Sequence, residues 1–323
     1  MKNNKVISSS ITLERIGGYC MKMKLETEMN PPVVIKGAPL TYRLSRLDGL
    51  KWILLAVPLF YILYLLVLPM FGFFKLSVFD ENGFTLKYIV DMFSTTIYLN
   101  VIWTTIKTAT IVTFITLLIS YPFAYYIVQM QSKTWKTTIV VVVTISLWLS
   151  IIARTFSWSI LLQDQGIINK FLINLGIITE PLPLLYNLTG VIIGMSHILL
   201  PYMILNLISV MQGIDTRLIQ AAEGLGAKPF RAFLQIYFPL SLPGVISGSL
   251  LVFVMSLGYY ITPALLGGSK DMMISTLISQ NITRTLNWNL AATLALFLFI
   301  ITLLLLLLSY FLVRKNPVLT EVE

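Results

Sequence analysis

Six apolar runs set the pattern of this chain, and polar stretches of uneven length separate them. The first, Trp52 to Phe74, reads WILLAVPLFYILYLLVLPMFGFF and lies between Lys51 and Lys75. At about 1.5 Å of rise per residue, a helix of that length covers a hydrocarbon core of about 30 Å. The second run, residues 101–128, opens on Thr104, Thr105, Thr108 and Thr110 and contains Lys107. Threonine hydroxyls bond back to carbonyls of their own helix, so such a segment is tolerated in lipid and suits helix contacts. The third run covers residues 137–160 with Arg154 near its far end, and the fourth covers residues 188–211 with His197 and Pro201. The fifth extends from Leu242 to Leu266, and the sixth from Leu290 to Val313, where Arg314 and Lys315 stop it. Residues 76–99 are mixed and predict a short helix at the membrane surface. Residues 131–136, 161–186 and the Gly267–Arg284 segment read as loops. The pattern predicts an all-α polytopic membrane protein with six transmembrane helices.

Composition agrees. Hydrophobic residues make up 57% of the chain and charged residues 11%, against about 45–50% and about 25% in soluble domains. A net charge of +9 would point to nucleic acid in a soluble protein. In a membrane protein it points to topology, because Lys and Arg collect on the cytoplasmic side. With both termini inside, the inner segments hold 16 Lys and Arg, and the outer loops hold five: Lys75, Lys87, Lys170, Lys270 and Arg284. The rule weights short flanks, and Arg43, Arg46 and Lys51 sit close to the first run. An N-in/C-in arrangement follows, with no nucleic-acid partner. Residues 1–51 are polar and patternless and read as a largely disordered cytoplasmic tail. Residues 52–315 form the transmembrane domain, and 316–323 a second cytoplasmic tail. No apolar run of signal-peptide length precedes residue 52, and Met21, Met23 and Met29 leave the translation start open. The lone Cys20 permits no intrachain disulfide, and a single histidine with no Cys/His cluster leaves no metal site for this chain to build.

The most ordered polar stretch is Asp215 to Pro243, within a cytoplasmic loop at 213–239. Asp215 is placed to cap a helix. Leu218, Ile219, Ala222 and Leu225 recur at helical spacing. Gly224 and Gly226 interrupt that helix, and Gly226 suits a positive-φ turn. Pro229 fits the first position of a second helix, which carries an aromatic stripe of Phe230, Phe233, Leu234 and Tyr237 predicted to pack on the membrane core. Pro239 and Pro243 then punctuate the return to the bilayer. Two readings fit this pattern: a loop packed on its own protein, and a docking element for a cytoplasmic partner.

The spacing resembles the EAA loop of binding-protein-dependent ABC importer permeases: Glu-Ala-Ala, three residues, Gly, nine residues, Ile, one residue, Leu-Pro. Here Gln220, Ala221, Ala222, Gly226, Ile236, Phe238 and Pro239 occupy those positions, with Glu223 directly after the Ala pair. Gln220 stands where the family has the acid, and Phe238 where it has Leu. The later SLPGV (241–245) is similar to the family as well. The stretches RTFSWSILLQDQGIIN (154–169), MSHILLPYMILNL (195–207), GYYITPALLGG (258–268) and MISTLISQNI (273–282) resemble permeases of the polyamine and opine group, most nearly the spermidine/putrescine type. The resemblance implies the type I importer permease fold, inner-membrane residence and alternating access. It implies three partners: a cytoplasmic ATP-binding subunit seated on the loop, a second homologous permease and an extracytoplasmic substrate-binding protein. ATP would be used by the partner subunit and no cofactor bound by this chain. With Gln220, contact at the family's acidic position would be a neutral hydrogen bond, weaker than a charge-assisted one.

Candidate pathway residues each carry two readings. Arg154 either lines the outer gate or snorkels to the interface. His197 either packs in the interior or handles substrate or protons. Tyr259, Tyr260 and Thr262 either offer a cation–π surface to an amine or pack as ordinary helix residues. No GxxxxGK[ST] loop occurs, so the chain is not expected to hydrolyse ATP, and no Ser/His/Asp arrangement or carboxylate pair suggests catalysis. A stand-alone secondary transporter and a membrane-embedded enzyme or assembly factor are the rival classes.

Overall fold

The computed structural model describes residues 48–81 and 83–315, and two compact units divide the chain, residues 1–66 and 67–323. Residues 1–47 of the tail predicted at 1–51, and the tail predicted at 316–323, lie outside the described residues, whereas residues 48–51 are helical. The described part of the first unit is one stretch of helix α1 (Asp48–Lys75), which begins ahead of the predicted Trp52. Its described side chains from Trp52 to Leu66 are all exposed, and a helix apolar on every face is one solvated by hydrocarbon.

In the second unit the 76–99 segment holds the predicted surface helix, α2 (Lys87–Ser94). It also holds a hairpin that the pattern does not predict. Strands β1 (Phe79–Asp80) and β2 (Gly83–Phe84) pair antiparallel, and Gly83 turns between them at φ +108°. Tyr88 on α2 donates its hydroxyl to Asp80 Oδ2 at 3.0 Å, and this ties the hairpin to the helix.

Helix α3 (Thr96–Gln129) and helix α7 (Leu188–Met211) pack on each other and on α10 (Phe238–Leu257) to make the core. Val112, Met195, Leu199, Met203, Leu207 and Val252 are fully buried there. The threonines of α3 behave as predicted: Thr105, Thr108 and Thr110 donate to the carbonyls of Val101, Thr104 and Ile106 at 2.7–2.8 Å. Thr105 also accepts from the Ile274 N–H at 2.9 Å, which joins α3 to α12 (Ile274–Thr283). Gly244 permits the close approach of α10 to α7, since a Cβ there would lie 2.9 Å from Val210 Cβ.

Two predicted spans are built differently. The third is a broken pair, α4 (Lys133–Trp148) and α5 (Ile151–Leu161), meeting at 93°. Neither Pro nor Gly causes the break. Leu149 and Ser150 are extended, and Ser150 Oγ accepts from the Ala153 N–H to cap α5. Among the described residues five helices are long and apolar enough to cross a membrane, and this pair supplies a sixth if counted as one span. After the short α6 (Ile167–Asn174), buried Asn169 holds its loop by donating to the carbonyls of Gln163 and Leu182 and accepting from the Leu182 N–H.

The fifth span starts earlier and stops sooner than Leu242–Leu266. α8 (Arg217–Gly224) precedes it in the loop. Then α9 (Pro229–Ala232), a π-helical turn (Phe233–Tyr237) and α10 form one unbroken helix from Pro229 to Leu257. Pro239 and Pro243 sit inside it without ending it. The wide turn directly precedes Pro239, which has no N–H to offer the carbonyl four residues back. The helix breaks instead at Gly258–Tyr260, and α11 (Ile261–Leu266) follows. Last comes α13 (Trp288–Lys315), against which Phe74 packs through Phe299 at 5.3 Å.

Candidate functional site

The loop between α7 and α10 is a capped helix, a tight turn and the head of a long helix. Asp215 sits one residue ahead of the capping position predicted for it: Thr216 is the N-cap of α8 and its side chain makes no cap bond, while the Asp215 carboxylate accepts from the Arg217 N–H at 2.9 Å. At the other end Gly226 has φ +89°. Its N–H donates to the Glu223 carbonyl at 2.9 Å, and the Ala227 N–H donates to the Ala222 carbonyl at 3.0 Å. Those two bonds are the pair that closes a helix end through a left-handed residue. Gly224, predicted to interrupt the helix, is simply its last residue.

This turn leaves a mixed polar and apolar tip. Gln220, Ala221, Glu223 and Gly226 are exposed, whereas Ala222, Ile236 and Pro239 are half-buried. Leu225 projects with 91% of its surface open, alongside exposed Leu218 and Phe230. Ile219 alone of the predicted apolar face packs against the core together with Phe233.

The aromatic stripe is split. Tyr237 is fully buried and Phe233 half-buried, but Phe230 and Leu234 are exposed. The π-helical turn adds a residue per turn and carries the stripe out of register with an ordinary helix. The inward half meets two tyrosines of α3. Tyr125 stands edge-on to Tyr237 at 4.9 Å and to Phe233 at 5.4 Å, and Tyr121 edge-on to Phe233 at 6.2 Å. Tyr121 donates to Ser241 Oγ at 2.8 Å while Ser241 donates to the Phe238 carbonyl. The head of the long helix is thereby locked to the end of α3. Tyr121 and Tyr125 went unnoticed in the sequence, although their i, i+4 spacing in an apolar run was a usable signal.

The far end of the same helix reaches a second cluster. Arg154 and Thr155 on α5 are buried, and Thr155 Oγ1 lies 3.2 Å from Thr262 Oγ1 on α11. The Tyr259 side chain is in Coulombic reach of Arg154 and Tyr202, and so is His197 of Arg154. His197 does not pack inside this chain. It is exposed, with its ring edge-on to Trp158 at 5.4 Å. The fold therefore gathers Arg154, His197, Tyr259 and Thr262, four of the five predicted pathway residues. Tyr260 turns to α12 instead, where Ser279 donates to its hydroxyl at 3.2 Å. Thr155, Trp158 and Tyr202 join the cluster unpredicted. Thr155 directly follows Arg154 and Trp158 lies one helical turn on, but Tyr202 reaches it only through tertiary packing.

Residues 120–316 match the family described as binding-protein-dependent transport system inner membrane component. The chain is 33% identical over 225 residues to the spermidine/putrescine transport system permease protein PotB of Haemophilus influenzae, covering 70% of this chain and 77% of that protein. Its fold matches a solved bacterial ABC transporter involved in import of the acidic polysaccharide alginate, at TM-score 0.69 and 18% identity over 86% of this chain and 99% of that one. A solved alginate ABC transporter in complex with an alginate pentasaccharide-bound periplasmic protein matches at TM-score 0.68 and 18% identity, over 85% and 97% of the two chains. By the family match, the relative's identity and this shared fold, the chain belongs to the binding-protein-dependent inner membrane components and is a permease subunit of an ABC importer.

Proposed function

We propose that this permease imports a polyamine, with its 213–239 loop docked on a cytoplasmic ATP-binding subunit. The observation that carries the reading is the unbroken helix from Pro229 to Leu257. Its head belongs to the docking loop, and its tail ends two residues short of Tyr259 in the second cluster. At about 1.5 Å per residue that helix is a rod of roughly 43 Å. The Tyr121–Tyr125–Phe233–Tyr237 packing ties its head to α3. Closure of the ATP-binding subunits then moves the cluster without the loop yielding.

In this reading Gln220, Ala221, Ala222, Glu223 and Gly226 form the docking surface, with Leu225 as its apolar centre. Ile236 and Pro239 seat the second helix. Arg154, His197 and Tyr259 face the solute's path, and fully buried Thr262 braces Tyr259 and Thr155. ATP is hydrolysed on the partner, and the chain binds no cofactor itself. A second permease completes the pathway, and a binding protein delivers the solute; the alginate transporter is likewise found in complex with an alginate pentasaccharide-bound periplasmic protein. The polyamine assignment rests on the substrate in the relative's name. Uptake of radiolabelled spermidine and putrescine by cells with and without this chain tests it. Uptake that depends on the chain is the expected result; uptake unchanged by its loss would refute the reading.

A further inference from the structure

Arg154 keeps only 9% of its surface open, and its Nε has no hydrogen-bond partner. The nearby Tyr259 hydroxyl is buried beside Thr262 and makes no hydrogen bond of ordinary geometry among the described residues. The Arg154 Nε, on a side chain nine-tenths buried, thus lacks an acceptor, and a buried cation without one is unfavourable. The chain does not supply one. Apart from Asp48, which starts α1 ahead of its spanning stretch Leu54–Lys75, none of its described carboxylates falls within a membrane-spanning helix, whereas Lys107, Arg154 and His197 all do. His197, which interacts electrostatically with Arg154, is exposed.

The missing acceptor comes either from the solute or from the adjoining permease. A polyamine is a cation and offers no acceptor to a guanidinium. A second copy of this chain would bring no carboxylate in its described spans. We infer that the second permease places a carboxylate against Arg154 across the pathway, a group that a second copy of this chain would not supply. The assignment rests on the polyamine reading. It also removes that reading's chief difficulty, a fixed positive charge on the route of a polycation. The carboxylate neutralises Arg154 at rest, and an arriving amine competes with the guanidinium for it.

The test uses the whole transporter in lipid nanodiscs: this chain, its partner permease, the ATP-binding subunits and the loaded binding protein. ATP hydrolysis stimulated by the binding protein is the main readout, with spermidine uptake measured alongside in proteoliposomes. R154E is expected to lower stimulated hydrolysis by about tenfold or more, since it sets two carboxylates together. Changing one spanning-helix carboxylate of the second permease to Lys should restore it to within about threefold of the parent. Where R154E prevents assembly, the neutral pair is scored: R154Q alone loses function, and the matching carboxylate-to-amide change recovers it. Retention of full activity by R154E overturns the inference, as does the absence of any rescuing position in an assembled complex. Import of a carboxylate-bearing solute whose KM rises in R154Q, without rescue from the second permease, would assign the acceptor to the solute and also overturn it. A parent complex that hydrolyses ATP yet takes up no polyamine refutes the polyamine reading alone, because the rescue pattern is read in hydrolysis.

Discussion

The two ends of the Pro229–Leu257 helix are built in opposite ways. At its head the rings interlock and one hydroxyl pair is bonded: Tyr121 and Ser241 bond in series, and Tyr125 stands against both Phe233 and Tyr237, with the buried Tyr237 hydroxyl left without a partner among the described residues. At its tail the helices are short or broken, with a 93° bend before α5 and a gap at Gly258–Tyr260. Polar groups there, Arg154 Nε and the Tyr259 hydroxyl, make no hydrogen bond of ordinary geometry among the described residues. A densely packed, continuous end transmits displacement, whereas an end with helix breaks and an unpaired cation can change shape and receive a ligand or a partner. The difference separates the part that is pushed from the part that responds.

Tyr237→Ala attacks the rigid end most heavily. Removing a fully buried ring should cost about 3 kcal/mol, read as a lowered unfolding temperature of the purified complex. Stability unchanged by that substitution would deny the packed head its role. Next comes Gly226→Val. A Cβ there meets no neighbouring atom, but φ +89° is a conformation side chains rarely adopt. The expected strain of about 1–2 kcal/mol is local, so uptake should fall while the unfolding temperature of the complex barely moves. At the responsive end, Thr262→Val removes the Thr155–Thr262 bond and should cost about 1 kcal/mol, with a shift in uptake KM larger than any shift in stability. The smallest effect belongs to Tyr237→Phe. The hydroxyl it removes is buried without a partner, so stability should stay within about 0.5 kcal/mol or rise.

Sequence reasoning succeeded where a single residue's chemistry decides the local structure. Gly226 is legible because a positive φ selects glycine, and Asp215 because an acid ahead of a helix captures a free N–H. It failed where geometry arises between segments. The π-helical turn shifts Phe230 and Leu234 outward without any residue that announces it. The break at Leu149–Ser150 lacks Pro and Gly, so an apolar count runs straight through it. His197 illustrates the deeper reason. Inside a bilayer, lipid-facing and core-facing positions are both apolar, so hydrophobic pattern loses the contrast that separates inside from outside. The spans of such a chain can be read from its sequence more readily than the faces they bury.

The claim on which everything else depends is that the loop tip carries an ATP-binding subunit. Leu225 tests it most directly, because its side chain is 91% open and its replacement disturbs no packing within the chain. The measurement is the affinity of the ATP-binding subunit for the solubilised permease pair carrying Leu225→Glu. A loss of about tenfold or more, with the permeases still paired and folded, is the predicted result. Binding at the parent affinity, with uptake intact, would contradict the account.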